Sequence, residues 1–226
     1  MAKKKSRRGL KIIIGLVALL VIAAGTYFVL MLSQTSGMTP LDTQEVSPGI
    51  FAVRDGFVNF YLYKVDDKYI AVDAGTSVSN AKDELNRLGI SSDDVIAVLL
   101  THTHGDHTGA LSVFDKAVVY AGANARSGKV SKTLADGEIT EIAGASVECI
   151  FTPGHADDSV CYLIDGKVLF AGDTLSLRDN QVGLFNSFFN KSDDVQKADI
   201  ERLAALSGVQ IVFSAHYGFT DHAVFP

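Results

Sequence analysis

The sequence has few cysteines. Cys149 and Cys161 are the only two in 226 residues, so the chain can form at most one internal disulfide. Both lie in apolar runs, at 147–151 and 160–164, that would face each other in a hairpin and would place the two thiols opposite one another. Cross-strand opposition alone does not give the geometry that a disulfide needs. A bond is conceivable, but we expect two free, buried thiols.

Basic residues are scarce after the N-terminal segment. Six of the 20 Lys and Arg lie at or before Lys11, whereas all 26 Asp and Glu come later, so the remainder has a net charge of −12 with histidine neutral. An acidic domain without a basic tract repels phosphate backbones. This balance disfavours nucleic acid as a partner.

Charged residues are absent from residues 12–32, where Thr26 is the only polar side chain. As a helix, this stretch would span about 31 Å, close to the roughly 30 Å of a bilayer core. Basic residues precede it and no acidic residue occurs before Asp42, so the positive-inside rule places the N-terminus in the cytoplasm and the remainder outside. The alternative is a cleaved signal peptide, whose apolar region is usually shorter and ends at a small-residue site.

Residues 31–35 offer no Ala-x-Ala pattern, and no nearby cysteine can take a lipid. We therefore expect an uncleaved single-pass membrane helix and basic tail at 1–32, a linker at 33–45 and an extracytoplasmic domain at 46–226.

Short strands and helices alternate after residue 46, without internal repeats. This alternation predicts a layered α/β fold. Helices are predicted at 77–88, at 108–114 and from 192 to about 206. Strands are predicted at 50–53, 58–65, 68–72, 95–100, 117–120, 139–142, 146–151, 160–164, 168–171 and 209–213.

A cluster of metal-ligand side chains follows the strand predicted at 95–100. It contains His102, His104, Asp106 and His107. Side chains two apart point the same way in an extended backbone, and the last two lie at the turn into the next helix. Four such donors are costly to pack together unless something binds between them, and they are donors that zinc prefers. The loop therefore predicts ligands for two adjacent metal ions.

Further donors follow other predicted strands. Asp73, His155, Asp173 and His216 each come just after an apolar run. Singly, each would be an ordinary loop residue, but their shared position predicts that they converge on one edge of a sheet. His222 is the remaining histidine and is expected at the surface.

These segments resemble known motifs. The run Thr101–His107 resembles the His-x-His-x-Asp-His signature of the metallo-β-lactamase superfamily, and four further segments resemble its other motifs in order. The resemblance covers the chain from about Val46 and implies a four-layer αββα sandwich with metals at the edge of its two sheets. The four segments are Val72–Gly75, Thr152–His155, Ala171–Thr174 and Ala215–Gly218.

The resemblance implies two divalent metal ions, zinc or alternatively iron or manganese. His102, His104 and His155 would hold one ion. The second would be held by Asp106, which is also the catalytic candidate, with His107 and His216. Asp173 would bridge the two ions, and Asp73 would steady the histidine loop from behind.

A hydrolase follows from this implied site. Two metal ions that share a water lower its pKa toward about 7 and give a hydroxide nucleophile, so Ser159 and Cys161 need only structural roles. Asp173 resembles the hydroxyacylglutathione hydrolase and lactonase pattern, whereas zinc β-lactamases typically carry cysteine there. Hydroxyacylglutathione hydrolases carry a helical C-terminal domain for glutathione, and ten residues follow His216, so we do not expect a glutathione thioester as the substrate. We expect a small ester, thioester, lactone or phosphodiester as substrate.

The segment 175–190 is rich in aromatic residues. Such a loop either walls a substrate pocket above the metals or covers the core. Two other functions stay open: an iron-dependent sulfur dioxygenase with one iron, and a non-catalytic metal-binding module. The substrate identity, the native metal and the oligomeric state also stay open. The candidate pocket residues are Phe185, Phe188, Phe189 and Tyr217.

Overall fold

A long apolar helix precedes the β-rich part of the chain. The structure, a computed structural model, describes residues 3–226, in which residues 3–38 form one unit and Thr39–Pro226 a second. Helix α1 runs over Lys3–Thr35, so it continues three residues past the predicted end at Leu32. Its segment Gly9–Thr35 has the length and composition to cross a membrane, a test that an N-terminal signal sequence also passes.

The second unit contains two sheets, a hairpin and three helices. The helices are α2 at Val78–Leu88, α3 at Gly105–Thr108 and α4 at Asp193–Ala204. The strands are β1 Gln44–Ser47, β2 Ile50–Asp55, β3 Val58–Val65, β4 Lys68–Val72, β5 Val95–Leu99, β6 Val118–Gly122, β7 Lys132–Leu134, β8 Ile139–Ile142, β9 Ala145–Phe151, β10 Val160–Ile164, β11 Val168–Phe170, β12 Ser176–Arg178, β13 Gln181–Gly183, β14 Ile211–Ser214 and β15 Gly218–Thr220.

Both sheets mix parallel and antiparallel pairs. The first follows chain order from β1 to β7, antiparallel up to β4 and parallel from there on. The second has the order β15-β14-β11-β10-β9-β8, and only β11 and β14 pair in parallel. Strands β9, β11 and β14 consequently run in the same direction, so their carboxyl ends lie at one edge.

Apolar side chains from the two sheets meet in one core. Ile70 and Leu99 from the first sheet share a cluster with Tyr162 and Phe213 from the second. A separate cluster packs Ala81 and Leu85 of α2 against the other face of the first sheet. The sandwich predicted from the sequence is thus confirmed, with α2 as an outer layer and with α4 bonded to β9 through Arg202 and the carbonyl of Phe151.

The two cysteines lie in paired strands but do not face each other. Both are free and buried, as predicted. The expectation that they lie opposite each other is wrong, because Cys149 pairs with Tyr162 and Cys161 pairs with Ile150. An offset of one residue turns the two side chains to opposite faces of the sheet. The thiols therefore point away from each other.

Helix α2 begins and ends where the sequence predicts. The side chain of Ser77 accepts a hydrogen bond from Asn80 N, and Gly89 adopts the left-handed conformation that closes the helix. The helix predicted at 108–114 is wrong, because α3 ends at Thr108 and a 3₁₀ turn follows at Leu111–Phe114. Ala110 N donates to the carbonyl of Gly75 instead of continuing the helix.

Five short strands were not predicted. Strand β1 at Gln44–Ser47 begins inside the predicted linker 33–45. Strands β7 and β15 have three residues each, and β12 and β13 form a hairpin inside the segment 175–190, which was expected to be a loop. Asp179 and Asn180 at its turn both have positive φ, which suits a two-residue hairpin turn. Three-residue strands are too short to show a periodic apolar pattern.

Candidate metal centre

Five strand ends carry the polar side chains of the site. Asp73 follows β4 and the histidine loop follows its parallel neighbour β5. The loops after β9, β11 and β14 supply His155, Asp173 and His216. Because these strands share a direction within their sheets, their loops meet at one edge of the sandwich.

The structure sorts seven of these residues into two groups. In each group, one potential ligand atom per residue lies within 4.8 Å of the others. The first group has three members, of which His104 is exposed and the others buried. The second group has four members, of which Asp106 is half-buried and the others buried. The groups are His102, His104 and His155, and Asp106, His107, Asp173 and His216.

Asp173 lies between the two groups. Its Oδ1 is 3.4 Å from His107 Nε2 and 3.2 Å from His216 Nε2. Its Oδ2 is 3.4 Å from His155 Nε2 and 3.9 Å from His102 Nε2. One buried carboxylate therefore faces imidazoles of both groups with different oxygens.

Most of the buried imidazoles have an outer acceptor at Nδ1. His107 Nδ1 lies 2.8 Å from Asp73 Oδ2, and His216 Nδ1 lies 2.7 Å from the carbonyl of Phe57. His102 Nδ1 lies 3.2 Å from Thr101 Oγ1. A proton on Nδ1 leaves the Nε2 lone pair free toward the centre of the site, and this is how outer partners orient metal-binding histidines.

Asp73 holds the base of the histidine loop. Its carboxylate accepts hydrogen bonds from the backbone N and the hydroxyl of Thr101 at 2.8 Å each, besides the bond from His107. Its φ of 64° is left-handed, a conformation that Asp and Asn tolerate better than most residues. Gly172 also has a positive φ, and a Cβ there would lie 2.6 Å from Thr101 Oγ1. Loops from both sheets, those of Asp73 and Gly172, therefore pack against Thr101.

Burial and the two carboxylates set the charge of the site. Burial opposes the charged form of His216, but Asp173 and Asp106 together raise its pKa to about 9. Burial likewise opposes ionisation of Asp173, yet His216 and His107 hold the pKa of that carboxyl well below its usual range. Burial lowers the pKa of His102, and the neighbouring His107 lowers it further. At neutral pH the site therefore combines ionised carboxylate with neutral His102 and protonated His216, and a divalent cation bound at His216 would displace its proton.

Three buried atoms aimed into the site have no hydrogen-bond partner among the described residues. They are His102 Nε2, His107 Nε2 and Asp173 Oδ1. Buried polar atoms of this kind are nearly always satisfied, and leaving one unsatisfied costs about 1–3 kcal/mol. A bound cation would satisfy all three, so the residues present fit the metal centre that the sequence predicts.

Aromatic rings line one side of the two groups. The buried ring of Phe185 lies 5.0 Å from His155, 5.5 Å from His216 and 5.9 Å from Tyr217, measured between ring centroids. Phe189 is 6.3 Å from Phe185, and the exposed Phe188 lies beyond Phe189. Of the four predicted pocket residues, Phe185 therefore contacts the histidines, Tyr217 and Phe189 lie beside Phe185, and Phe188 lies farther out. His222 is exposed and lies outside the site, as expected.

Three other residues at the site were not predicted from the sequence: Phe57, Asn190 and Gln196. Phe57, at the turn between β2 and β3, stacks on His216 with a centroid distance of 5.6 Å and an interplanar angle of 10°. Asn190 and Gln196 reach His155 and the backbone of Asp173. Phe57 and His216 are 159 residues apart, so no local spacing links them. An apolar ring at a polar hairpin turn was the one available hint for Phe57.

Residues 53–145 match the family model of the metallo-beta-lactamase superfamily. The match covers less than half of the chain, and over this region the chain is similar to the metallo-β-lactamase superfamily. The matched region contains the first two motifs, and the other three lie downstream of it in the order that the superfamily resemblance implies.

Curated relatives align over part of their length. A hydroxyacylglutathione hydrolase from Francisella philomiragia is 42% identical over 84 residues, which are 35% of this chain and 33% of the relative. An atrochrysone carboxyl ACP thioesterase from Aspergillus chevalieri is 29% identical over 160 residues, which are 63% of this chain and 51% of the relative. The chain thus spans between a third and a half of the length of these two relatives.

Solved structures show the same fold. The subclass B3 metallo-beta-lactamase BJP-1 of Bradyrhizobium japonicum gives a TM-score of 0.63 at 21% identity, over 79% of each chain. A metallo-beta-lactamase family protein from Thermus thermophilus gives 0.60 at 24% identity, over 78% of this chain and 76% of that one. At this identity the likeness supports the fold alone.

Proposed function

We propose that this chain is a metal-dependent hydrolase of the metallo-β-lactamase superfamily with two divalent ions. The observation that carries the proposal is the position of Asp173, whose two oxygens face imidazoles of both groups at 3.2–3.9 Å. In this arrangement His102, His104 and His155 hold one ion, and Asp106, His107 and His216 hold the other. Zinc suits these donors, with iron and manganese as alternatives.

Two such ions supply Lewis acidity, which lowers the pKa of a water and polarises the bond to be cleaved. The chain's own side chains supply orientation and charge. Hydrogen bonds at Nδ1 keep the buried imidazoles aimed inward, and Asp106 is the half-buried carboxylate on the open side. Burial opposes its ionisation, but the bond from His216 and the charge of His107 lower its pKa. Asp106 is therefore ionised at neutral pH, and as a carboxylate it would be a ligand of the second ion.

An acyl ester or thioester with an apolar acyl group is the substrate class that we favour. Phe185 and Phe57 each lie within 6 Å of His216, which gives the site an apolar wall next to the metal ligands. The names of two relatives, a hydroxyacylglutathione hydrolase and an ACP thioesterase, favour thioesters within this class.

A substrate panel tests the activity. The full-length chain in detergent is assayed with ester, thioester, lactone, phosphodiester and β-lactam substrates, before and after chelation and with Zn²⁺, Mn²⁺ or Fe²⁺ restored. We expect thioester or ester hydrolysis that chelation abolishes, that metal restores and that His104→Ala eliminates. Turnover that survives both chelation and His104→Ala would overturn the proposal. One bound iron with oxygen uptake and no hydrolysis would identify the sulfur dioxygenase instead.

We further propose that α1 anchors the protein in a membrane with the hydrolase domain outside the cytoplasm. The support is the apolar segment Gly9–Thr35, together with the basic residues before it and the lack of acidic residues before Asp42. Protease added to intact spheroplasts should digest the domain and leave the anchor. A domain that stays protected would contradict this orientation, and a mature chain that starts after residue 32 would identify a cleaved signal peptide.

A further inference from the structure

Two amide side chains connect the aromatic wall to the first group of histidines. Gln196, on α4, is fully buried, and Asn190 lies just before that helix. Asn190 Oδ1 is 3.3 Å from His155 Nδ1. The two amides also bond to each other, with Gln196 Nε2 donating to Asn190 Oδ1 at 3.0 Å and Asn190 Nδ2 donating to Gln196 Oε1 at 2.7 Å.

Backbone groups fix the orientation of the Gln196 amide. Phe185 N donates to Gln196 Oε1 at 2.9 Å, and a backbone N–H has no other role than donor. Gln196 Nε2 donates to the carbonyl of Asp173 at 3.2 Å, and a carbonyl can only accept. In the flipped orientation, Nε2 would face the N–H of Phe185 and Oε1 would face the carbonyl of Asp173, and neither pair could form a hydrogen bond. Two backbone groups therefore leave Gln196 a single orientation.

The orientation of Gln196 sets that of Asn190. Because Gln196 Nε2 donates, the Asn190 atom that faces it must be the oxygen. Asn190 Nδ2 then donates to Gln196 Oε1, to Asp193 Oδ1 at 2.8 Å and to the carbonyl of Phe185 at 3.2 Å. The atom presented to His155 Nδ1 is thus an acceptor, which favours a proton on Nδ1. His155 Nε2 lies 3.1 Å from His104 Nδ1 and 3.4 Å from Asp173 Oδ2.

We propose that Asn190 and Gln196 are positioning residues that fix the tautomer of His155, so that its Nε2 is a ready metal ligand. The inference rests on the proposed metal site and deepens it. The same amides hold the backbone N and carbonyl of Phe185, whose ring packs against His155. The Asn190–Gln196 pair therefore contacts both His155, a ligand of the first group, and the backbone of Phe185, whose ring forms the aromatic wall.

The protonation of His155 is the first test, and it needs no metal. The full-length chain is labelled with ¹⁵N-histidine, stripped of metal and studied in detergent by ¹H–¹⁵N correlation spectra, with the His155 signal assigned by its loss in His155→Gln. We expect the Nδ1–H tautomer in the wild type. The Nε2–H tautomer in the wild type would overturn the inference, whatever any variant does.

Matched variants separate the acceptor from general structural support. Asn190→Ala removes the acceptor and should abolish the preference for Nδ1–H. Asn86→Ala removes an amide from the exposed face of α2 and should leave the signal unchanged. An Nδ1–H preference that persists in Asn190→Ala, or is lost equally in Asn86→Ala, would overturn the inference.

Zinc affinity is the second readout. Competition with a chromophoric chelator should show that Asn190→Ala weakens the group that contains His155 by about 10–100-fold, the usual effect of losing an outer partner of a ligand. Equal affinity in Asn190→Ala and Asn86→Ala would overturn the inference. A wild type that has the Nδ1–H tautomer but binds no zinc would refute the proposed metal function and leave the tautomer assignment standing.

Discussion

Replacing the carboxylate of Asp73 by an amide should separate folding from metal binding. Asp73→Asn keeps the shape of the side chain, and asparagine tolerates the φ of 64° at this position. Its Oδ1 can still accept the bond from Thr101 N, which is 2.8 Å in the wild type. The second oxygen, Oδ2, is however replaced by an NH₂ group, which is a donor. In the wild type, Oδ2 lies 2.8 Å from His107 Nδ1, so the new donor would face that nitrogen.

Two donors cannot face each other at that distance, so the proton of His107 must move to Nε2. That atom is 3.4 Å from Asp173 Oδ1 and is the one that would bind the metal. We expect Asp73→Asn to lower the free energy of unfolding by about 1–2 kcal/mol, the difference between charged and neutral hydrogen bonds. Metal affinity of the second group should fall about 10–100-fold, or roughly 1.4–2.8 kcal/mol.

Zinc competition and urea unfolding of the full-length chain measure the two effects separately. Asp66→Asn is the matched control, because Asp66 also has a positive φ but lies exposed in a hairpin turn away from the site. The reasoning is refuted if Asp73→Asn and Asp66→Asn bind zinc with the same affinity. It is also refuted if affinity falls only in proportion to a global loss of folded protein.

Three further predictions follow from the same geometry. The metal-free protein should lose up to about 3 kcal/mol of its free energy of unfolding between pH 6.5 and 9. The pKa of His216 is raised to about 9 in the folded protein, so its protonation stabilises the fold fully below the unfolded-state pKa near 6.5, and this contribution is lost as the pH rises through 9. A urea-unfolding free energy that stays constant over this range would contradict the prediction. Gly154→Ala should lower the free energy of unfolding by at least about 2 kcal/mol, since its Cβ would lie 2.3 Å from the backbone of α4, whereas Gly128→Ala, which meets nothing within 4 Å, should change it little. Ser159→Ala should keep most of the turnover, because the hydroxyl bonds to a backbone amide and not to the histidines; a loss as large as that of His104→Ala would indicate a protein nucleophile.

The ligand loops could be predicted from the sequence because each follows a strand that shows its own apolar run. Val95–Leu99 and Val168–Phe170 are continuous apolar segments, and the residues after them must lie at a sheet edge. Ser77 and Gly89 likewise mark the ends of α2 through local capping chemistry. Such features depend on neighbours within a few residues, which a sequence displays directly.

The outer partners of the histidines could not be predicted, because they are set by packing between distant segments. The carbonyl of Phe57 reaches His216 across 159 residues, and a backbone carbonyl leaves no trace in the residue type. Asn190 and Gln196 are common polar residues, and nothing in their spacing distinguishes a buried amide from a solvated one. The break in the helix predicted at 108–114 has the same origin, since Ala110 N bonds to the carbonyl of the distant Gly75.

The metal content of wild type and Asp173→Asn tests the central claim most directly. Elemental analysis of the purified full-length chain, after equilibration with Zn²⁺ and removal of loosely bound ions, should give about two metal equivalents per wild-type chain, the count of a two-metal site. Asp173→Asn should lose both, because this carboxylate faces imidazoles of both groups. A single equivalent, retained equally by wild type and Asp173→Asn, would contradict the two-metal centre and the bridging role of Asp173.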